Sequence, residues 1–275
     1  MKPYFQADGC VIYNADARDV LPTLPDRSVD LVMTDPPYGI NWADGNDLSS
    51  VRHQVFHQTQ RKAITREIAN DSSADANELV RWMFGQSVRL LDRGCLCCCC
   101  TGGGGPNPMF AHWTLMMDEI FGINIKHRDG TEEHKGGFVQ AVVWRKPGLG
   151  LGIQWRRSYE FVLVAKRPGG PSKWRGGKKE CNVVEARKIL AKEWQHPTEK
   201  PVGLMSYFIN LYSDPEDIVL DPFMGRGATL IAARDSQRRA IGIESDERWC
   251  ESAAKRLDQM SLLVDATPGR AGLSE

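Results

Sequence analysis

Ser28-Val29-Asp30-Leu31-Val32-Met33-Thr34-Asp35-Pro36-Pro37-Tyr38-Gly39-Ile40 is the stretch around which the rest of the chain is organised. Val29, Leu31, Val32 and Met33 make an apolar run that suits a parallel strand covered on both faces, and the run stops at Asp35-Pro36-Pro37-Tyr38. Nothing there can continue a sheet. Each proline fixes φ near about −65° and removes an N–H donor, while the residue before it is pushed to extended geometry. The turn is therefore stiff and its carbonyls stay available. A carboxylate, a carbonyl and an aromatic face converge, which suits a flat, amine-bearing substrate such as a nucleobase. Asp35 and the Pro36 carbonyl would accept from the exocyclic NH2, and Tyr38 would stack on the ring.

Outward from that turn, 9–13 reads as a strand, 14–17 as a loop, 18–24 as a short helix and 25–27 as the break before the Val29 strand. Residues 41–75 show no clean period and read as a mobile excursion over the site. Helical spacing returns through Leu79, Val80, Met83, Phe84, Val88 and Leu91, with Gly94 as the expected C′ residue closing that helix. A strand over 95–101 then leads into the glycines of 102–105. Asn107-Pro108 reads as an N-cap followed by proline at N1, opening a helix that ends at Gly122. The strands expected over 138–144 and 159–165 form a long-looped hairpin at the sheet edge. Between Arg145 and Lys179 stand Arg145, Lys146, Arg156, Arg157, Lys166, Arg167, Lys173, Arg175, Lys178 and Lys179 against a single acid, Glu160. On a chain of zero formal net charge this local excess resembles a phosphate-contacting track.

Farther on, 217–220 is again a buried strand. It ends in Asp221-Pro222-Phe223-Met224-Gly225-Arg226-Gly227-Ala228-Thr229 and enters a helix, after which 239–243 is a strand closing on Glu244. Glycines let backbone N–H groups at a helix N-terminus approach a ligand, and an acid at the end of the next strand can hold ribose hydroxyls. The third glycine of a dinucleotide fingerprint is replaced by Leu230, which disfavours a nicotinamide cofactor and favours a nucleoside-type one without pyrophosphate. Seven strands are expected in all. Two of them end in an Asp-Pro turn, and ligand crevices open where such neighbours diverge, so the two turns are placed side by side.

The length of 275 residues suits one large α/β domain. No apolar run approaches the about 18 residues that span a bilayer, and no signal-peptide pattern opens the chain, so a cytoplasmic location is expected. Of eight cysteines, five fall in Cys95 to Cys100, where neighbours on a strand point to opposite faces and cannot pair. That favours a reducing compartment. No second Cys/His pair has zinc-ligand spacing, and no metal site is expected.

Asp35-Pro36-Pro37-Tyr38, the segment His196-Pro197-Thr198-Glu199-Lys200-Pro201 and Asp221 to Gly227 with Glu244, in that order, resemble the β-group amino-DNA methyltransferases of the adenine-N6 type. The resemblance covers 11–39, 142–166 and 194–257. It implies an α/β, Rossmann-like seven-stranded methyltransferase sheet with an edge hairpin and a circularly permuted motif order. A single domain over 1–275 would comprise a catalytic half (1–40 and 78–165), a mobile loop insertion (41–77), a target-recognition segment (166–193) and a cofactor-binding half (194–260). Asp35, Pro36, Pro37 and Tyr38 are implied as the catalytic turn that holds a flipped base, with Asp35 also bordering the cofactor. S-adenosylmethionine is the implied cofactor. Asp221, Phe223, Gly225, Gly227 and Thr229 would wrap it, Glu244 would hold its ribose, Asp16 would sit near its adenine, and Thr198 with Lys200 would close over its methionine end. Arg226 stands where the family often has serine or another small residue. Double-stranded DNA is the implied partner, with a second copy of the chain and a cognate restriction endonuclease as further candidates. A cytosine-N4 enzyme, which usually carries Ser in place of Asp before Pro-Pro-Tyr, and an inactive DNA-binding relative are the alternatives.

Overall fold

The structure, a computed structural model, describes residues 1–38, 73–102, 109–148, 155–186 and 199–265. The excursion read over 41–75 falls almost wholly outside them, as do Asn107-Pro108 and Thr198. The strands are β1 (Phe5–Ala7), β2 (Cys10–Asn14), β3 (Val29–Thr34), β4 (Leu91–Gly102), β5 (Ile123–Lys126), β6 (Glu132–Lys135), β7 (Phe138–Arg145), β8 (Tyr159–Lys166), β9 (Val183–Glu185), β10 (Ile218–Asp221) and β11 (Arg239–Glu244). The α-helices are α1 (Ala17–Val20), α2 (Ser73–Leu90), α3 (Met109–Phe121), α4 (Val202–Tyr212), α5 (Ala228–Asp235) and α6 (Glu247–Asp265).

Among the described residues one sheet has nine strands in the order β1-β2-β11-β10-β3-β4-β8-β7-β9, and β5 pairs with β6 apart from it. From β2 to β4 the strands are parallel; β8 and β7 then form an antiparallel hairpin. This is an α/β, mostly parallel sheet whose seven central strands are the seven expected from the sequence. The count is corrected to nine by β1 and β9, three residues each, which add to the two edges through backbone bonds and carry no apolar run of their own. The β7–β8 hairpin thus lies one strand in from the edge.

Period-two alternation along the strands builds two cores, one on each face. Cys98 and Cys100 join Leu31, Met33 and Phe208 of α4 on one face, while Cys95, Cys97 and Cys99 join Val32 and the α2 and α3 residues Phe84 and Trp113 on the other. The cysteines are therefore small buried core residues with free thiols, and burial pushes the Cys97 thiol up to about 12. In α3, Met109, Trp113, Met117 and Phe121 recur every fourth residue and form the buried stripe. Among the described residues no helix is long and apolar enough to cross a membrane.

Gly94 does not close a helix. The helix α2 ends at Leu90, the chain passes straight into β4, and Gly94 sits inside that strand with φ +83° where the register against β3 shifts. Its amide donates to the Arg167 carbonyl at 3.1 Å, and a Cβ there would meet the Pro171 carbonyl oxygen at 2.0 Å. A bulge needs the same left-handed backbone as a helix cap, so the glycine was legible and its setting was not.

The chain leaves β3 toward β4 on one side and β10 toward β11 on the other. The carboxyl ends of β3 and β10 therefore face the point where the strand order reverses, which is where α/β sheets hold ligands.

Candidate active site

Because β8 runs against its neighbours, its start lies at the same edge as the parallel strands' ends. Along that edge stand Asn14, Glu244, Asp221, Asp35, Gly102 and Glu160, each on the next strand. Asp35 is only 16% exposed in its side chain, and Pro36 beneath it is buried. The Tyr38 hydroxyl donates to Asp35 Oδ1 at 2.6 Å, and the Lys200 ammonium donates to Asp35 Oδ2 at 2.6 Å and to the Tyr38 oxygen at 2.9 Å. Lys200 is itself buried, and Glu160 Oε2 lies 3.6 Å from its Nζ. Lys146, at the end of the hairpin strand β7, donates to the other oxygen of Glu160. Lys146, Glu160, Lys200 and Asp35 thus form a continuous chain of alternating charge.

Burial raises the Asp35 carboxyl above its ordinary range, and Lys200 pulls it back. For Lys200 burial works against the charge, but Asp35 and then Glu160 outweigh it and hold the ammonium protonated. The Tyr38 phenol is pushed well above its usual value by burial and by Asp35 beside it, so it remains a donor. Its ring meets Trp113 edge-on at a centroid distance of 6.1 Å, and Trp113 is fixed by its own donation to Asn77 at 2.8 Å.

Next door, Asp221 Oδ1 accepts from the Thr34 hydroxyl at 2.8 Å and from the Phe223 amide at 3.1 Å, and Thr229 adds a side-chain hydrogen bond. Burial raises its carboxyl to about 6. The turn that follows uses Gly225 and Gly227 at φ +50° and +75°, and α5 begins at Gly227 with no side-chain cap on its first amides. Glu244 Oε2 accepts from the Gly225 amide at 3.2 Å and Oε1 from the Asp246 amide at 2.9 Å, while burial raises this carboxyl too. A glycine loop, a helix start and a partly buried acid therefore line one crevice.

Asp35, Pro36, Tyr38, Lys200, Asp221, Phe223, Gly225, Gly227, Thr229 and Glu244 are all brought to this edge. Asp16 lies beside it as the N-cap of α1, with its carboxylate engaged by the Arg18 amide at 2.8 Å and by the Arg18 guanidinium at 2.6 Å. Arg226 turns away from the glycine loop and pairs with Glu199 at 2.7 Å, where Arg256 joins at 2.9 Å. That partly buried triad fastens the segment carrying Lys200 to α6. Two of the basic residues read as a phosphate track are elsewhere. Lys173 bridges Asp30 at 2.8 Å and Asp217 at 2.9 Å, and Arg175 grips Asp214 with two bonds of 2.6 Å, all at the amino ends of β3 and β10. Glu160, Lys146 and Asn14, whose amide donates to the Glu244 carbonyl at 3.1 Å, were not singled out as site residues from the sequence. The acid opposing ten cations was the one available signal.

Residues 29–255 match the model of the N6/N4 DNA methylase family. The type II methyltransferase M2.MboI of Moraxella bovis is 24% identical over 279 aligned residues, spanning 95% of this chain and 93% of that protein. The structure of M1.HpyAVI in complex with SAM superposes with a TM-score of 0.61 at 21% identity, covering 90% of this chain and 99% of that one. The cytosine-N4-specific PvuII DNA methyltransferase gives 0.65 at 16% identity, covering 96% and 94%. These two structures share the fold.

Proposed function

This chain belongs to the N6/N4 family of DNA methylases, and from that premise we propose that it methylates the exocyclic N6 of adenine in double-stranded DNA. The cofactor is S-adenosylmethionine, which supplies an electrophilic methyl group on a sulfonium centre. The crevice fits such a group: uncapped amides at the start of α5 follow two glycines with positive φ, and a partly buried Glu244 carboxylate faces the same loop. Asp221, Gly225, Gly227 and Glu244 would hold it there.

The observation that carries the reading is the partly buried Asp35 carboxylate at the end of β3, in the stiff turn with the Pro36 carbonyl and the Tyr38 ring. An exocyclic amine is a poor nucleophile because its lone pair is delocalised into the ring. Hydrogen bonds from the amine to Asp35 and Pro36 strengthen as the nitrogen turns positive, so they favour the transition state over the bound base. As the new N–C bond forms, the nitrogen must release one proton, and Asp35 is the carboxylate placed to take it. The amine is beyond reach inside a duplex, hence the base is flipped out, with Tyr38 replacing its lost stacking. Asp rather than Ser before Pro-Pro-Tyr favours adenine over cytosine.

Since Lys173 and Arg175 lie at the far edge, we assign the phosphate-facing role to Arg145, which also pairs with the exposed Glu185 at 3.3 Å, and to Arg156 and Arg157. These flank the catalytic edge beside Trp155, which is 87% exposed. DNA methylated by the purified protein and hydrolysed to nucleosides should contain N6-methyladenine by mass spectrometry. N4-methylcytosine as the product would overturn the assignment.

A further inference from the structure

Glu160 Oε2 is buried and has no hydrogen-bond partner among the described residues, an unusual state for a carboxylate oxygen. Its other oxygen is held by Lys146. The first oxygen, Oε2, is ion-paired with the Lys200 ammonium at 3.6 Å, longer than a hydrogen bond, while the ammonium bonds to Asp35 and Tyr38. In this arrangement Lys200 occupies one oxygen of the carboxylate that is to receive the target amine. A cation at that place also opposes the positive charge that grows on the amine nitrogen during transfer.

We propose that Glu160 is a positioning residue that draws the Lys200 ammonium off Asp35 when the target base enters, leaving Asp35 open to the amine with the cation displaced. The inference rests on the reading of Asp35 as the amine's acceptor. Rotation of the terminal bonds of Lys200 exchanges one carboxylate oxygen for another, so the ammonium keeps a charged partner throughout. Lys146 fixes the waiting carboxylate, which explains why a second lysine is placed at a site whose substrate is itself to become cationic. Glu160 touches no reacting atom and acts through Lys200.

The test is single-turnover methyl transfer at saturating S-adenosylmethionine and DNA. Glu160→Gln should slow the chemical step about 10- to 100-fold, less than the roughly 10²–10³ expected for loss of a direct transition-state contact, while affinities for cofactor and DNA stay within about twofold. In a Lys200→Met background the same substitution should cost less than about twofold, because the group it serves is gone. Unchanged turnover in Glu160→Gln, or losses that add in the double variant, would overturn the proposal. Should Lys200→Met not hold its fold, the single variant decides. A loss confined to the chemical step supports the role, and a parallel loss of cofactor affinity and melting temperature means that Glu160 only holds the structure together. Full activity in Asp35→Ala would instead remove the acceptor reading itself, an outcome distinct from failure at Glu160 alone.

Discussion

β3 and β10 lie side by side, run the same way, and each ends in an Asp-Pro step, Asp221 buried and Asp35 partly so, yet the two carboxylates are stabilised by opposite means. Asp35 faces a buried ammonium and a phenol; Asp221 faces two hydroxyls and a backbone amide. An ion pair on a flexible lysine stem keeps a carboxylate charged and can be rearranged. Neutral donors on the strand and the helix start hold a carboxylate in place but compensate its charge poorly, which is why Asp221 rises to about 6. The difference matches a carboxylate that must meet a developing cation and one that shapes a loop.

The largest effect should come from removing the cation. Lys200→Met leaves buried charge unbalanced and should cost about 3–5 kcal/mol of stability, whereas Thr34→Val, which removes a neutral donor from Asp221, should cost about 1 kcal/mol. Denaturant titrations showing equal losses would break the contrast between the two turns. Asp35→Ala should lower the rate by about 10²–10³, with S-adenosylmethionine affinity by calorimetry nearly unchanged. A variant with wild-type turnover would dismiss Asp35 from the chemistry. Glu244→Ala should weaken cofactor affinity by about 1.5–3 kcal/mol and leave the rate at saturating cofactor close to normal; unaltered affinity would remove Glu244 from the crevice.

Legibility in the sequence followed burial. The seven central strands are apolar runs, most of them bounded by Gly, Pro or Asp, and both Asp-Pro turns announce themselves, so the sheet and its crevice could be read directly. β6 could not, since Glu132 to Lys135 are all exposed and pair with β5 through a tight turn and ions such as Lys126 with Glu132 at 2.9 Å. Charge was read least well. Lys173 looks like its basic neighbours until Asp30 and Asp217, far away in sequence, are folded against it, and Glu160 looks like an ordinary strand residue until two lysines converge on it. Composition shows which charges exist; only the fold shows which are already matched.

The smallest effect tests the neutral side of the contrast. The Asp221 carboxyl titrates at about 6 in the fold against an ordinary value of 3.8, so the folded state binds the proton more tightly. For a carboxyl raised in this way the stability cost is absent below the unfolded value, grows between it and about pH 6, and is complete above. At roughly 1.4 kcal/mol per unit the full cost is about 3 kcal/mol. Asp221→Asn removes that cost but introduces an NH2 group facing the donors Thr34 and Phe223, with a penalty of about 1–3 kcal/mol. The net gain above pH 7 should therefore be only about 1 kcal/mol, and near pH 4, where the native carboxyl is protonated in the fold, the variant should be the less stable of the two. Melting curves of both proteins across pH 4–8 would cross if neutral donors alone hold Asp221. Parallel curves would mean that Asp221 has an uncounted cationic partner and that the two turns are balanced alike.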